Sequence, residues 1–398
     1  MNLNIKKLAE IAAKGERMII GLMSGTSLDG LDVAVCRVKG TGSETEINVS
    51  HFETAEYDIA FRELLKKICF REMVDFQELT LLHKSIALHH AKIINDLLKK
   101  WELSREDIDL IASHGQTVYH APLHNHQRVE TGNATLQIGD GDILSVHTGI
   151  ITISDFRQKN IACGGEGAPL AVYGDILLYT ENDIDVLLLN IGGISNFTYL
   201  PAALSGKIIC SDTGPGNTLM NQWMNKNFPG KNYDHDAEVA LKGTLNENLL
   251  RSMKEHEFFS QPFPKSTGPE LFSLNYLQEA LKHSQCENIS TEDIMATLNK
   301  FTADTICQAL KSVQAKNNTK LYISGGGIHN PLLLKHLQEQ LPEFTFSQTE
   351  SKGTNPDAKE AVLFALLANE CVAGNIESFK NLSENIPAIS MGKISFPS

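Results

Sequence analysis

Glycine and hydroxyl residues at two places in the chain have the types and spacing needed to bind phosphate. The first run is Gly25-Thr26-Ser27-Leu28-Asp29-Gly30-Leu31-Asp32, and the second comprises Gly192, Gly193 and Ser195. Backbone N–H groups and hydroxyls of such turns donate to a chain of phosphates, and two facing turns would grip one nucleotide. Asp29 could hold Mg2+ directly or through water. A plain β-hairpin turn explains the first run equally well, because Asp-Gly is a strong hairpin signal.

Asp212 is the candidate general base. We predict that it follows a strand at 207–210 and opens the glycine-rich segment Asp212-Thr213-Gly214-Pro215-Gly216-Asn217. A carboxylate fixed where phosphates converge could take a proton from a nucleophile. The structural alternative is an N-cap for a helix that begins near Gly216, since aspartate fills that role well.

Other polar residues gather where predicted strands end. Ser113-His114-Gly115-Gln116-Thr117 follows a strand at 109–112, and Asp155-Phe156-Arg157 follows a strand at 150–154. In open α/β sheets ligands bind at that edge, although Asp155 and Arg157 could equally form surface ion pairs. Gly325-Gly326-Gly327, after a strand at 321–324, could let a purine ring lie against the backbone or could be a loose loop.

Signature motifs of several other enzyme classes are missing. Neither Gly-x4-Gly-Lys-Ser/Thr nor Gly-x-Gly-x-x-Gly occurs, so a P-loop NTPase and a simple dinucleotide-binding fold lose support. H-E-x-x-H and paired C-x-x-C are absent as well. His120, His124 and His126 could coordinate a metal in principle, but a solvated loop explains them more simply.

The elements that must position these residues repeat along the chain. Strand–turn–strand units at 18–35 and 186–200 begin two similar halves. Apolar periodicity predicts helices at about 60–101 and 291–313, the second opening with a capping-box-like pattern at Ser290. Helices from Asn330 and over 357–368 follow. Together with the length of 398 residues, this pattern predicts two domains.

Composition narrows the function and the location. The net charge of -13 argues against sequence-independent binding to nucleic acid and requires a local basic patch for any anionic substrate. Seven dispersed cysteines indicate reduced thiols. We find no apolar run of membrane-spanning length and no signal-peptide core. The prediction is a cytoplasmic protein with no nucleic-acid or membrane partner.

Taken in order, these turns resemble the sugar kinase, Hsp70 and actin superfamily, whose two ribonuclease-H-like domains hold ATP between paired β-hairpins. Within it, GLMSGTSLDGLD, SHGQTVYH, DFRQKNIACGGEGAPL, DTGPGNTLMN, PKSTGPELF and GGGIHN look like the anhydro-N-acetylmuramic acid kinase family. The resemblance covers about 18–373. It implies an α/β fold of two ribonuclease-H-like (actin-like ATPase) domains, 1–160 with 376–398 and 161–375, around a central ATP and substrate cleft.

The resemblance also implies an activity. The family uses ATP, Mg2+ and water to open the 1,6-anhydro ring of the sugar and to place phosphate on O6, in peptidoglycan recycling. By this comparison Asp212 is the base, the turns at 25–32 and 192–195 bind the ATP phosphates, and 325–327 lies near adenosine. The sugar side would comprise His114, Gln116, Asp155, Arg157 and Glu360. The implied partners are a small-molecule sugar and ATP, with a homodimer as the family's frequent assembly.

Three alternatives share the superfamily fold. A related kinase that acts on another sugar or a carboxylic acid is the realistic rival. A chaperone-like ATPase would need a further peptide-binding domain, and a sugar-responsive repressor would need a basic DNA-reading element.

Two positions depart from the family pattern: Asn221 stands where Asp is common, and Glu166 stands where Gln is frequent. Neither change removes the proposed base.

Overall fold

The chain forms two compact units. A computed structural model describes residues 2–313, 315, 319–348, 358–375, 379 and 386–398. The first unit is Met1–Leu178 with Lys352–Ser398, and the second is Tyr179–Ser351. The domain ranges predicted from the sequence divide the chain elsewhere, since they assign 161–178 and 352–375 to the second domain. Compactness alone does not define a folding domain, so those ranges stay a prediction.

Strands and helices are numbered in chain order. The strands are β1 (Glu16–Ser24), β2 (Gly30–Lys39), β3 (Glu46–Glu56), β4 (Leu110–Ala121), β5 (Ala134–Ile138), β6 (Thr152–Ser154), β7 (Val186–Ile191), β8 (Ile194–Leu200), β9 (Ile209–Pro215), β10 (Lys320–Ser324), β11 (Thr345–Gln348) and β12 (Lys393–Ser395). The helices are α1 (Leu3–Ala12), α2 (Ile59–Ile68), α3 (Phe76–Lys100), α4 (Leu123–His126), α5 (Gly141–Thr148), α6 (Phe156–Ala162), α7 (Ala171–Tyr179), α8 (Thr218–Asn227), α9 (Glu247–Lys254), α10 (Leu274–His283), α11 (Thr291–Ser312), α12 (Pro331–Gln340) and α13 (Lys359–Val372).

The two units repeat one strand order. In the first, the sheet runs β12, β6, β4, β1, β2, β3, with β5 paired to β4. Strands β1 to β3 form an antiparallel meander, and β4 and β6 continue the sheet in parallel. The second sheet, β11, β10, β7, β8, β9, has the same meander and the same parallel pair. The predicted α/β fold class with two ribonuclease-H-like halves is thereby confirmed, while the predicted central cleft stays a prediction.

Each unit has its own apolar core. In the first, Ile20 of β1, Val33 of β2, and Ile86 and Ile94 of α3 belong to one buried apolar cluster. In the second, β7 packs with α11, and helices α8 to α11 form a further cluster around Phe301. Burial of these faces removes apolar surface from water, which is the main force that holds the sheets and helices together.

Several predicted boundaries change in the structure. The predicted helix at 60–101 is two helices, α2 and α3, because Asp58 and Asp75 each cap a separate start. Strand β4 does not stop before Ser113 but continues to Ala121, because β5 pairs with its second half. Asp212 lies within β9 rather than after a strand. The predictions at 18–35, 186–200, 291–313 and 321–324 are confirmed within a few residues.

The last predicted helix begins at Asp357, which lies outside the described residues, and α13 covers the rest of it. Among the helices in the described ranges, none combines the length and the apolar character that crossing a membrane would require.

Candidate functional site

The first candidate phosphate turn, Gly25 to Asp29, joins β1 to β2. Leu28 adopts a left-handed φ of 58° and buries its side chain, which anchors the turn in the core. Thr26, Ser27 and Asp29 are exposed, and Ser27 Oγ donates to Asp29 Oδ1 at 2.5 Å. The buried Leu28 therefore holds the turn in place while its hydroxyls and carboxylate face solvent.

A chain of buried hydrogen bonds supports this turn from below. Gln116 Nε2 donates to the carbonyl of Gly25 at 3.2 Å, so Gln116 Oε1 is the acceptor that faces Ser24 Oγ at 2.6 Å. Because Ser24 donates there, it accepts from the hydroxyl of Tyr57 at 2.8 Å, and Tyr57 in turn accepts from His90 Nε2 at 2.8 Å. Each donor in the sequence His90, Tyr57, Ser24, Gln116 is thus assigned.

The protonation states of these side chains agree with the order of donors and acceptors. All four side chains are at most 3% exposed. Burial lowers the pKa of His90 to about 3 and raises the pKa of Tyr57. A neutral histidine with its proton on Nε2 is the donor that the chain requires. The chain fixes the Gly25 carbonyl and with it the start of the turn.

His114 and Arg157, two of the predicted sugar-side residues, lie in direct contact. Arg157 Nε donates to His114 Nε2 at 2.9 Å, and Arg157 Nη1 donates to the carbonyl of Gly167 at 2.7 Å. His114 therefore carries its proton on Nδ1, which faces the carbonyl of Gly115 at 2.9 Å. Burial lowers the pKa of His114 to about 3, so the neutral ring orients the Arg157 guanidinium.

Glu360 lies at the start of α13 within electrostatic range of Arg157 and Asp32. Desolvation raises the pKa of its carboxyl, the charge of Asp32 adds to this, and Arg157 and Lys359 act in the opposite direction. Burial also lowers the pKa of Arg157, against the effect of Glu360. The structure thus brings two carboxylates and one guanidinium together in the first unit.

Two predicted sugar-side residues are placed differently. Asp155 pairs with Lys393 of β12, and none of its hydrogen bonds within the described ranges reaches His114 or Arg157. The ion-pair alternative therefore describes its observed contact. Gln116 is fully buried, and its amide supports the first candidate phosphate turn. Sugar contacts for both residues stay predictions.

The second candidate phosphate turn, Gly192 and Gly193, joins β7 to β8 and contacts the start of α8. Gly216 N donates to Gly193 O at 2.8 Å, and Asn217 N donates to Gly192 O at 2.8 Å. A Cβ on Gly216 would lie 2.3 Å from Gly192 O, so only glycine permits this approach. Ser195 is buried, and its Oγ makes no hydrogen bond with the residues that the structure describes.

Gly325 to Gly327 pack against the same end of β7. Gly325 has a left-handed φ of 85°, and its Cβ would lie 2.8 Å from Ile191 O. A Cβ on Gly327 would meet Ile191 Cγ2 at 2.3 Å. The glycine segments at 192–193, 216 and 325–327 therefore pack closely at the carboxyl end of β7, where Gly326 is exposed and Gly327 is buried.

Asp212 pairs with Asn196 of β8, close to the Gly192 turn. Its Oδ2 accepts from Thr267 N at 2.8 Å and from Ser266 Oγ at 3.3 Å, whereas Oδ1 accepts no hydrogen bond from the described part of the chain. Burial raises the pKa of Asp212, and these two hydrogen bonds partly offset that effect. The N-cap alternative is wrong, because Asn217 precedes the first residue of α8.

The residues that the sequence reasoning missed are those that hold the predicted ones. Tyr57 and His90 had no signal, because Tyr57 stands between Glu56 and Asp58, His90 follows His89, and neither belongs to a recognisable motif. Lys265, Ser266 and Thr267 lie in the segment PKSTGPELF, which contributes to the resemblance but had no assigned role.

The predicted Mg2+ ligand fits that metal only as part of a larger set. In the described ranges, no group of three His, Cys, Asp or Glu residues is arranged to hold a metal ion. Asp29 offers an exposed carboxylate. Mg2+ commonly takes one or two carboxylates and completes its shell with waters and substrate phosphates, which this arrangement allows.

Comparison with known proteins gives a family match over most of the chain and relatives that match its full length. The profile of the family described as anhydro-N-acetylmuramic acid kinase matches residues 17–395. Proteins of that name from Pseudoalteromonas atlantica and Pseudoalteromonas translucida are 51% and 46% identical to this chain, each over 100% of both chains. A solved structure, the activator of the 2-hydroxyisocaproyl-CoA dehydratase from Clostridium difficile with bound ADPNP, has a TM-score of 0.39 and 13% identity, over 92% of this chain and 99% of that one.

Proposed function

The chain belongs to the anhydro-N-acetylmuramic acid kinase family, and we propose that Asp212 is the base with which it couples ring hydrolysis to phosphoryl transfer. The protein is an ATP-dependent sugar kinase of peptidoglycan recycling. Its substrate is 1,6-anhydro-N-acetylmuramic acid, and its products are N-acetylmuramic acid 6-phosphate and ADP.

The hydrogen bonds of Asp212 carry this proposal. Both donors from the 266–267 segment bind Oδ2, which leaves Oδ1 as the acceptor for a water molecule. Burial raises the pKa of the carboxyl, so its carboxylate is a stronger base than an exposed aspartate. A fixed carboxylate with one oxygen available is the group that general base catalysis requires.

The proposed reaction balances without a separate acid. The water oxygen attacks the anomeric carbon while Asp212 takes the proton, and the bond between that carbon and O6 breaks with its electron pair on O6. O6 then bonds to the γ-phosphorus of ATP, and ADP leaves. The first step follows the logic of an inverting glycosidase, in which a carboxylate activates water on the face opposite the leaving oxygen.

The turns of both units supply the phosphate contacts in this proposal. Backbone N–H groups at 25–32 and 192–195, with the exposed hydroxyls of Thr26 and Ser27, would bind the triphosphate, and the segment at 325–327, which exposes Gly326, would lie near the adenosine. Phosphoryl transfer depends mainly on positioning and on neutralising spread charge. Asp29 would hold Mg2+, which, when bound, supplies positive charge at the phosphate oxygens.

Arg157 is the proposed contact for the carboxylate of the sugar. The net charge of -13 means that an anionic substrate needs a local cation. His114 and Gly167 occupy Nε and Nη1 of Arg157, while Nη2 makes no hydrogen bond with the described residues. Glu360 would accept from the sugar hydroxyls. The cytoplasmic location, the lack of a nucleic-acid partner and the homodimer stay predictions.

Oxygen-18 water tests the hydrolytic step. The protein is incubated with ATP, Mg2+ and 1,6-anhydro-N-acetylmuramic acid, and the product is analysed by mass spectrometry. We expect one labelled oxygen at the anomeric hydroxyl. Unlabelled 6-phosphate would reject hydrolysis by this water, and no turnover by the folded protein would favour the related kinase of another sugar or carboxylic acid.

Asp212→Asn tests the base. General base catalysis contributes about 100- to 10,000-fold, so we expect kcat to fall by that factor while nucleotide affinity changes little. Asp183→Asn is the matched control, because Asp183 is exposed in the same unit. Asp212→Asn with the kcat of the unmodified protein would remove Asp212 from the mechanism.

A further inference from the structure

The segment that holds Asp212 is itself held by an unusual lysine. Lys265 Nζ lies 4.5 Å from the ring centroid of Phe258, 5.2 Å from that of Phe263 and 6.0 Å from that of Phe259. The same ammonium donates to the carbonyls of Phe258 at 2.8 Å and Phe259 at 3.4 Å. An ammonium within about 6 Å of an aromatic face is attracted to that face by the ring quadrupole.

The rings around Lys265 are attached to the sheet that carries Asp212. Phe263 packs edge-on against Phe197 of β8 at 5.3 Å. Phe259 lies where a Cβ on Gly214 of β9 would meet it at 3.0 Å. The three phenylalanines therefore form a cage, Phe258, Phe259 and Phe263, that is fixed relative to β8 and β9.

The backbone of Lys265 continues the edge of the sheet. Asp212 N donates to Lys265 O at 3.0 Å, and Lys265 N donates to Ser211 Oγ at 2.9 Å. The next two residues supply the donors to Asp212 Oδ2. A single short segment thus pairs with the Asp212 backbone and orients its carboxylate.

We propose that Lys265 is a positioning residue for the reaction: its ammonium, held in the phenylalanine cage, fixes the 265–267 segment that aims Asp212. The inference rests on the proposed role of Asp212 as the base. Lys265 touches neither substrate nor reacting atoms in this proposal, and it acts only through the geometry of that carboxylate. Its loss lowers kcat and leaves the binding of ATP intact.

Lys265→Met tests the proposal, because methionine keeps much of the apolar stem and removes the charge and its donors. A displacement of about 1 Å at a catalytic group can cost 100-fold, so we expect kcat to fall about 10- to 100-fold with an unchanged KM for ATP. Lys265→Arg keeps a cation and donors for the cage and should restore most of kcat.

Lys226→Met is the matched control. Lys226 lies over the ring of Trp223 at 5.6 Å in the same unit, so it is also an aromatic-bound lysine. We expect the kcat of the unmodified protein from Lys226→Met. If Lys265→Met fails to fold, Phe263→Leu decides, because it removes one ring of the cage; the same loss of kcat with constant KM is expected.

Two results would overturn the inference. The first is an unaltered kcat in folded Lys265→Met, or in Phe263→Leu if Lys265→Met does not fold. The second is an equal loss of kcat in Lys265→Met and Lys265→Arg. Asp212→Asn separates this failure from that of the proposed function. An active Asp212→Asn rejects the base itself, whereas an inactive Asp212→Asn beside a fully active Lys265→Met rejects only the role of Lys265.

Discussion

Two opposing effects act on the Asp212 carboxyl. Burial disfavours its charged form and raises its pKa, while the hydrogen bonds from Thr267 N and Ser266 Oγ stabilise the charged form. Burial is the larger effect. The carboxylate is therefore more basic than an exposed aspartate but still has both donors directed to one oxygen.

The pH dependence of activity should follow this balance. The proposed base works only as a carboxylate, so we expect kcat/KM to fall as the pH falls through the pKa of Asp212, which burial raises from the ordinary aspartate value. Ser266→Ala removes one stabilising donor and should move this acid limb to higher pH. The measurement is kcat/KM across acidic pH for both proteins.

Ser312→Ala is the control for that measurement, since Ser312 Oγ donates to the carbonyl of Ala309 at the end of α11. Its profile should overlay that of the unmodified protein. An acid limb that stays in place in Ser266→Ala, or moves to lower pH, would show that the hydroxyl does not stabilise the charged base.

The residues that hold a functional group were harder to predict than the group itself. Asp212 could be named because its motif is local. Ser266 lies 54 residues from it, and no spacing rule connects them. Tyr57 likewise lies 33 residues from Ser24 and 33 from His90. A buried polar chain depends on which elements the fold brings together, and local patterns carry no information on that.

At the scale of elements, short-range sequence patterns predicted the hairpins. Strand pairing between segments distant in sequence changed the predicted bounds of the other strands. The turns at 25–29 and 192–193 join strands that are neighbours in sequence, so alternation and glycine sufficed. The second half of β4 is a strand because β5 pairs with it, and β9 extends through Asp212 because β8 pairs with it. The polar sequences of both segments predicted loops instead.

Gly216 joins two elements, and its substitution should disturb both. In Gly216→Ala the added Cβ would lie 2.3 Å from Gly192 O, at the bonds between the Gly192 turn and the start of α8. Overpacking of this kind costs about 1–3 kcal/mol. We expect a lower free energy of unfolding and a higher KM for ATP, measured by denaturant titration and steady-state kinetics.

Gly206→Ala is the matched control for that substitution. Its Cβ would meet only Pro201 at 3.6 Å, which is ordinary contact, and it lies in the same unit. We expect little change in either measurement. A KM for ATP in Gly216→Ala equal to that of the control, despite lower stability, would separate the Gly192 turn from nucleotide binding.

At the scale of the whole molecule, the repeat gives both candidate phosphate turns the same position in their sheets. Each joins the first and second strands of an antiparallel meander, β1 to β2 in one unit and β7 to β8 in the other. The repeat was readable from the sequence because both copies retain apolar strands around a glycine turn. The unit boundaries were not, because they depend on which segments pack together.

Hydrogen exchange tests whether one nucleotide uses both copies of the turn. A non-hydrolysable ATP analogue is added with Mg2+ at 100 times its Kd, which stabilises the bound protein by ~2.7 kcal/mol. Amide hydrogens that exchange only after the analogue dissociates then exchange about 100-fold more slowly. We expect this protection at 25–32 in the first unit and at 192–195 and 325–327 in the second. The helical segment 274–283, remote in sequence from all three, is the internal reference and should exchange as before. Protection confined to one unit would contradict a nucleotide held by both units. A ligand slows exchange only where the local unfolding needed for exchange breaks contacts with that ligand.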